Sequence, residues 1–395
     1  MRAAAPVAWL AAALLVSGCG GKTTVEPPAE LVEFEPTIEI DDLWSARVGR
    51  GAEGLRLGLE PSSDGMRVYA AARDGTVAAL DAETGRNLWS IDTDVPLSAG
   101  PAYGEGLLAV ASSSGQLLLL DAETGQERWR RPVGSEVLAP PAIGRNVVAL
   151  RSVDGRLRGF STANGTELWS VEQSLPALTL RGHTAAHVAG QLVVTGFDNG
   201  RIGAYQLASG EPVWELPIAT PTGRNELDRL VDIGANIQIV GNDVYAVGYQ
   251  GRAVSVDLNT GLVLWEREMS SFAGLDVDLT RVYVTDDIGA VHAVTRRDGA
   301  SIWSQEALRL RDVTAPTRFG QAVVVGDLEG YLHWLDLDDG EFLARERVSS
   351  ARISSAPIVV GDKLVVQSDD GRVSAFQTVV EEDEAEEPED VEEPG

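Results

Sequence analysis

A unit of about 40 residues recurs along most of this chain, and a repeat of that length limits the folds available more than any other feature. Its clearest copy reads Val68-Tyr69-Ala70-Ala71, Asp74-Gly75, Val77-Ala78-Ala79-Leu80-Asp81, Thr84-Gly85 and Leu88-Trp89. The element Gly-x-x-x-Trp falls at Gly85/Trp89, Gly125/Trp129, Gly165/Trp169, Gly210/Trp214, Gly261/Trp265 and Gly299/Trp303. A seventh copy keeps Gly340 and has Ala344 in the Trp position. A turn glycine precedes each alternating run, at Gly75, Gly115, Gly155, Gly200, Gly251, Gly289, Gly330 and Gly371. Eight such markers at this spacing predict an all-β fold, an eight-bladed β-propeller of four-stranded antiparallel blades.

Local chemistry supports the count. Dipeptides such as Asp74-Gly75 and Asn199-Gly200 supply positive φ for a tight hairpin between the second and third strands. Asp81-Ala82-Glu83-Thr84-Gly85 suits a type I turn followed by a left-handed glycine, closing the third strand onto the fourth. Continuous apolar runs such as Leu117-Leu118-Leu119-Leu120 suit strands buried on both faces between stacked blades. The recurring Trp is expected to fill the gap between neighbouring blades, with its N–H still reaching a partner. The eighth unit stops after its third strand, at Gly371 to Phe376. Near the start, Asp42-Leu43-Trp44-Ser45-Ala46-Arg47 reads as an orphan fourth strand. Pairing the two, 42–47 with 372–376, would close the ring and protect its sheet edges.

Outside the repeats the chain changes character. Met1-Arg2 and the apolar stretch Ala3 to Val16 have the pattern of a secretory signal peptide, residues 1–18. The stretch is too short for a ~30 Å hydrocarbon core, which needs roughly 20 residues. Leu15-Val16-Ser17-Gly18-Cys19 resembles a bacterial lipobox, which implies lipidation of Cys19, the chain's one cysteine. Gly20 stands where an Asp would signal retention in the inner membrane, which points to the outer membrane. Residues 19–41 carry Pro27, Pro28, Pro36 and many acids, and are expected to be a flexible tether reaching at most about 70 Å. Residues 42–380 form the propeller, and the acidic stretch 381–395 is expected to be a disordered tail.

Formal net charge is −28, which argues against a nucleic-acid partner, since phosphate contacts need clustered Lys and Arg. It also disfavours direct binding to anionic headgroups, leaving the lipid as the link to the membrane. His183 and His187 lie four apart without a third ligand, and read as polar residues on an inner strand. Asp286-Asp287 and Asp369-Asp370 read as turn residues. Neither a catalytic residue, a metal site nor a cofactor is expected.

The repeat with Ala79-Leu80-Asp81-Ala82-Glu83-Thr84-Gly85 and Leu88-Trp89 resembles the PQQ-like propeller repeat. A lipobox followed by eight such blades resembles the BamB family, lipoproteins of the bacterial outer-membrane protein assembly machine. The resemblance spans nearly all of 42–380. It implies a non-enzymatic scaffold facing the periplasm, binding the POTRA domains of a BamA-like subunit. Nascent outer-membrane proteins are a further partner class, and whether they are touched directly stays open. Two segments look like the family's contact loops: Leu178-Thr179-Leu180-Arg181-Gly182, and Leu227-Asp228-Arg229-Leu230-Val231-Asp232-Ile233-Gly234. They imply Leu178, Leu180, Arg181, Arg229 and Asp232 as partner-binding residues. The family's second acid is replaced here by Gly234, which puts part of the polar contact in doubt.

Spacing points to the same loops without the resemblance. Trp129 to Trp169 spans 40 residues, Trp169 to Trp214 spans 45, and Trp214 to Trp265 spans 51. The extra residues fall in consecutive links from an outer strand to the next inner strand. Such links emerge on one face, so they should form one exposed patch, and loops on rigid scaffolds carry binding residues. The alternatives are a quinoprotein oxidoreductase and a ligand-binding propeller. The first needs calcium, a catalytic carboxylate and planar stacking for the quinone, often on adjacent cysteines. The second needs aromatics exposed on one face, whereas these sit mostly at repeat positions. The propeller fold alone licenses no chemistry.

Overall fold

Turn chemistry builds each blade. In the computed structural model, which describes residues 26–379 except 181, 183, 223 and 226–228, the Asp81 carboxylate accepts the Thr84 N–H at 2.9 Å and its hydroxyl at 2.7 Å. The Gly85 N–H donates to the Asp81 carbonyl at 2.9 Å, with Gly85 at φ +67°. The same arrangement recurs at Asp121 with Thr124 and at Asp257 with Thr260. These turns fold consecutive strands into eight four-stranded antiparallel sheets, the eight blades of a propeller. Blades 1 to 7 are consecutive in sequence: 62–92, 97–132, 142–172, 187–217, 238–268, 274–305 and 317–347.

The core lies between blades. Tyr69 and Val77 of blade 1 pack with Leu108 and Leu118 of blade 2 in one buried cluster, and Leu119 and Trp129 of blade 2 with Leu150 and Phe160 of blade 3 in another. The expected role of the tryptophans holds, and it is more specific than gap filling. Each ring lies over the turn glycine of the following blade. Trp44 covers Gly85, where a Cβ would stand 2.5 Å from the ring, and Trp89 covers Gly125 in the same way. The Trp44 indole N–H donates to the Ala82 carbonyl at 3.0 Å, and the Trp129 N–H to that of Thr162 at 2.8 Å. Only glycine leaves room for the ring, so Trp and Gly form one device shared by two blades.

Blade 8 closes the ring as the sequence predicts. Its strands are Ile358–Val360, Lys363–Gln367, Arg372–Thr378 and, as the outer strand, Ile40–Arg47 from the start of the fold. Pairing runs from Ile40 opposite Thr378 to Arg47 opposite Arg372, with a bulge at Leu43. This explains Ala344. A Trp there would need the next blade's turn between third and fourth strands, and blade 8 has none because its fourth strand arrives from the other end of the chain. Ala344 instead packs, buried, in the cluster of Trp334 and Phe376.

One expectation is corrected. The described part of the segment read as a free tether, residues 26–39, lies against blade 7. Phe34 stacks on Phe342 with centroids 5.2 Å apart, and the Arg345 guanidinium covers the Phe34 ring. The Ala29 N–H donates to the Arg309 carbonyl, and the Thr37 N–H to that of Leu343, both at 2.9 Å. Apolar Leu31, Phe34 and Ile38 among the acids and prolines supply the packing that composition alone obscured. Cys19 and the tail 381–395 lie outside the described residues.

Candidate protein-docking site

Two long consecutive links, residues 173–186 between blades 3 and 4 and 218–237 between blades 4 and 5, meet on one face. Gly182 of the first packs against Gly234 of the second so closely that a Cβ on Gly182 would lie 2.5 Å from the Gly234 Cα. The Thr184 hydroxyl donates to the Ile233 carbonyl, and the Ala185 N–H to the Asn236 side-chain oxygen at 3.1 Å. The patch expected from spacing is therefore assembled from both loops.

Its members divide into two groups. Leu178 and Leu180 are 44% and 40% exposed, and Leu175, further back in the same link, is 47% exposed. Three leucines displayed in one loop form an apolar surface with no core to fill. Arg229 is exposed in the second link. Arg181 lies outside the described residues. Asp232 overturns its expectation: it is not part of the exposed patch but fully buried beneath it.

The reason is a charged cluster under the loops. Asp232 forms an antiparallel bridge with Tyr249, and its carboxylate accepts the Gly182 N–H at 3.3 Å. Arg151, buried in the second strand of blade 3, donates to Asp198, to the Gly196 carbonyl at 2.8 Å and to the Gly182 carbonyl at 3.2 Å. Asp232 and Arg151 thus hold Gly182 by its N–H and by its carbonyl, and tie the two links together. One arginine serves two carboxylates here. Burial, and then the charge of Asp198, push the Asp232 carboxyl up to about 7. Its other oxygen has no hydrogen-bond partner among the described residues. The sequence signal was Arg151 itself, a charge directly after the apolar run Val147 to Leu150 and within the same strand.

A pH dependence follows. Because the folded pKa of Asp232 is raised, the folded chain binds more protons than the unfolded chain between the ordinary carboxylate range and about 7. This residue's contribution therefore declines as pH rises through that window. Asp232→Asn should gain on the parent by on the order of 2 to 3 kcal/mol between pH 5 and pH 8. Melting curves of both proteins at the two pH values check this. A variant that loses ground on the parent between pH 5 and pH 8 would contradict it.

His187 is on the inner strand of blade 4, as its sequence reading had it, while His183 lies outside the described residues. Burial pushes the His187 imidazole down to about 4, which keeps it neutral at pH 7.

The family model described as outer membrane protein assembly factor BamB matches residues 41–97, 73–305 and 309–380. The chain belongs to the BamB family. The outer membrane protein assembly factor BamB of Pseudomonas aeruginosa is 50% identical over 370 residues, covering 93% of this chain and 97% of that protein. The crystal structure of BamB from Moraxella catarrhalis superposes with a TM-score of 0.79 at 27% identity, covering 86% of this chain and all of that one. A quinohemoprotein alcohol dehydrogenase from Comamonas testosteroni, 13% identical with a TM-score of 0.68, shares the fold alone. The Pseudomonas relative is named as an outer membrane protein assembly factor, so the resemblance read from the repeats holds.

Proposed function

We propose that this chain is a non-enzymatic lipoprotein scaffold of the machinery that assembles outer-membrane β-barrel proteins. It binds the periplasmic POTRA domains of a BamA-like subunit through the patch of Leu178, Leu180, Arg181 and Arg229, and so aids folding and insertion of outer-membrane proteins. The observation carrying this reading is the juxtaposition of the two long consecutive links, with leucines exposed on a rigid base. Asp232 serves as the post that ties the links rather than as a contact. The test is calorimetric titration of the chain with purified POTRA domains from the same bacterium. Saturable one-to-one binding is expected. Absence of binding between two folded partners would refute the reading.

Cys19 carries the lipid and holds the propeller on the periplasmic side of the outer membrane. Six residues lie between it and Glu26, which pairs with Arg309 at 3.4 Å. The anchor is therefore within about 25 Å of the start of the strap, on the face that carries the inter-blade links. Cys19→Ser should release the chain from the membrane fraction. Retention of the variant in the outer membrane in high salt would rule out this anchor.

A further inference from the structure

The face with the docking loops also carries a cavity of about 600 Å³ at the centre of the ring. Inner ends of the links line it, among them Leu57, Leu138, Leu180, Phe272 and Val313, together with Tyr249 from the turn between the second and third strands of blade 5. Its charged lining residues are Arg56, Glu136, Asp312 and Glu60, the last of which precedes the inner strand of blade 1. Asn236 precedes the inner strand of blade 5, on the opposite side of an eight-bladed ring. The two meet across the axis, where the Asn236 amide donates to both Glu60 carboxylate oxygens, at 3.3 and 3.2 Å. The Asn236 carbonyl oxygen accepts the Ala185 N–H, which orients the amide NH2 toward Glu60. Among the described residues Glu60 has no cationic partner. The other charged groups of the lining are already engaged: Arg56 pairs with Asp312, whose carboxylate Arg352 also reaches at 3.6 Å, and Glu136 has its own interaction.

We infer that this cavity receives one cationic side chain, a guanidinium or ammonium on an apolar stem, presented by the protein that docks on the two long links. A carboxylate enclosed without a cation is costly, and an arriving cation offsets that cost. Consistently, burial raises the Glu60 carboxyl above its ordinary value. The apolar walls suit the methylene stem of Lys or Arg, which packs along hydrocarbon while its head seeks an acceptor. Leu180, Gly182 and Gly234 line both the cavity and the docking loops, so a partner covering the loops covers the mouth. The net charge of −28 draws cationic groups toward the protein. This inference rests on the docking reading for the identity of the donor protein, and on Glu60 alone for the chemistry.

The test uses two peptides, acetyl-Leu-Arg-Leu-amide and its neutral counterpart with citrulline in place of Arg, titrated calorimetrically into the full chain. The Arg peptide should bind at least tenfold more tightly. Glu60→Gln should remove that preference, with a melting temperature equal to or above that of the parent, since the amide keeps an acceptor for Asn236 and carries no charge. Equal affinity for the two peptides, or a preference that survives Glu60→Gln, would overturn the inference. POTRA domains separate the two proposals. At least tenfold weaker binding of POTRA domains to Glu60→Gln supports the cavity as part of the interface. Equal binding to parent and variant leaves the docking site standing and overturns the cavity's role in it. If POTRA domains bind neither protein while the peptides are discriminated, the cavity remains a cation receptor and the donor is another protein.

Discussion

In-frame deletion of Ile40–Arg47 is expected to abolish cooperative folding of the propeller. This strand closes the ring by pairing with Arg372–Thr378, and it is the outer strand of blade 8. Without it the ladder of Arg372–Thr378 becomes an unpaired edge, the form of sheet most open to intermolecular pairing. Trp44 is lost with it, together with its cover over Gly85 and its hydrogen bond to Ala82. That removes one wall of the buried cluster joining blade 8 to Val68, Ala78 and Leu80 of blade 1. Trp44→Ala alone, which keeps the strand, should cost about 3–5 kcal/mol, the usual range for a buried aromatic truncated to Ala. Thermal unfolding and size-exclusion chromatography check both variants. A deletion variant that stays monomeric and melts within a few degrees of the parent would mean that closure does not depend on this strand.

Truncation of Leu178 and Leu180 is expected to remove most POTRA binding and leave the fold intact. Both side chains are about half in solvent, so their loss leaves no cavity behind. Interface energy concentrates in a few anchors, each costing about 2 kcal/mol when truncated, or roughly 30-fold in affinity. Leu180 should have the larger effect because it lines the central cavity as well as the loop surface. Calorimetry with POTRA domains gives the affinities, and melting curves of the double variant should overlay those of the parent. Undiminished affinity would exclude the leucines as anchors. Affinity lost together with stability would assign them to the packing of the links instead.

The eight blades, their hairpin turns and the closing strand were legible in the sequence, because each depends on residues close together along the chain. An Asp and a Gly four apart make the turn at Asp81 and Gly85, and the next Trp lies four residues on. Repetition turned that local rule into a count of eight. Spacing also located the two long links, since insertions stand out against a constant period. What each residue of those links does was decided by tertiary structure. Asp232 and Arg229 are three residues apart, yet one is buried and the other exposed. The difference comes from Arg151, Asp198 and Gly182, which contact or surround Asp232 from 34 to 81 residues away. Glu60 and Asn236 are 176 residues apart and meet only because an eight-membered ring brings blades 1 and 5 to the same axis. The strap 26–39 follows the same logic, since its hydrophobic residues found a surface on blade 7 that no local pattern announces. Periodic turn and strand signals are local and repeat eight times, so sequence determines them. Buried charge pairs, the central cavity and the strap are single long-range meetings, and only closure of the ring sets which residues face one another.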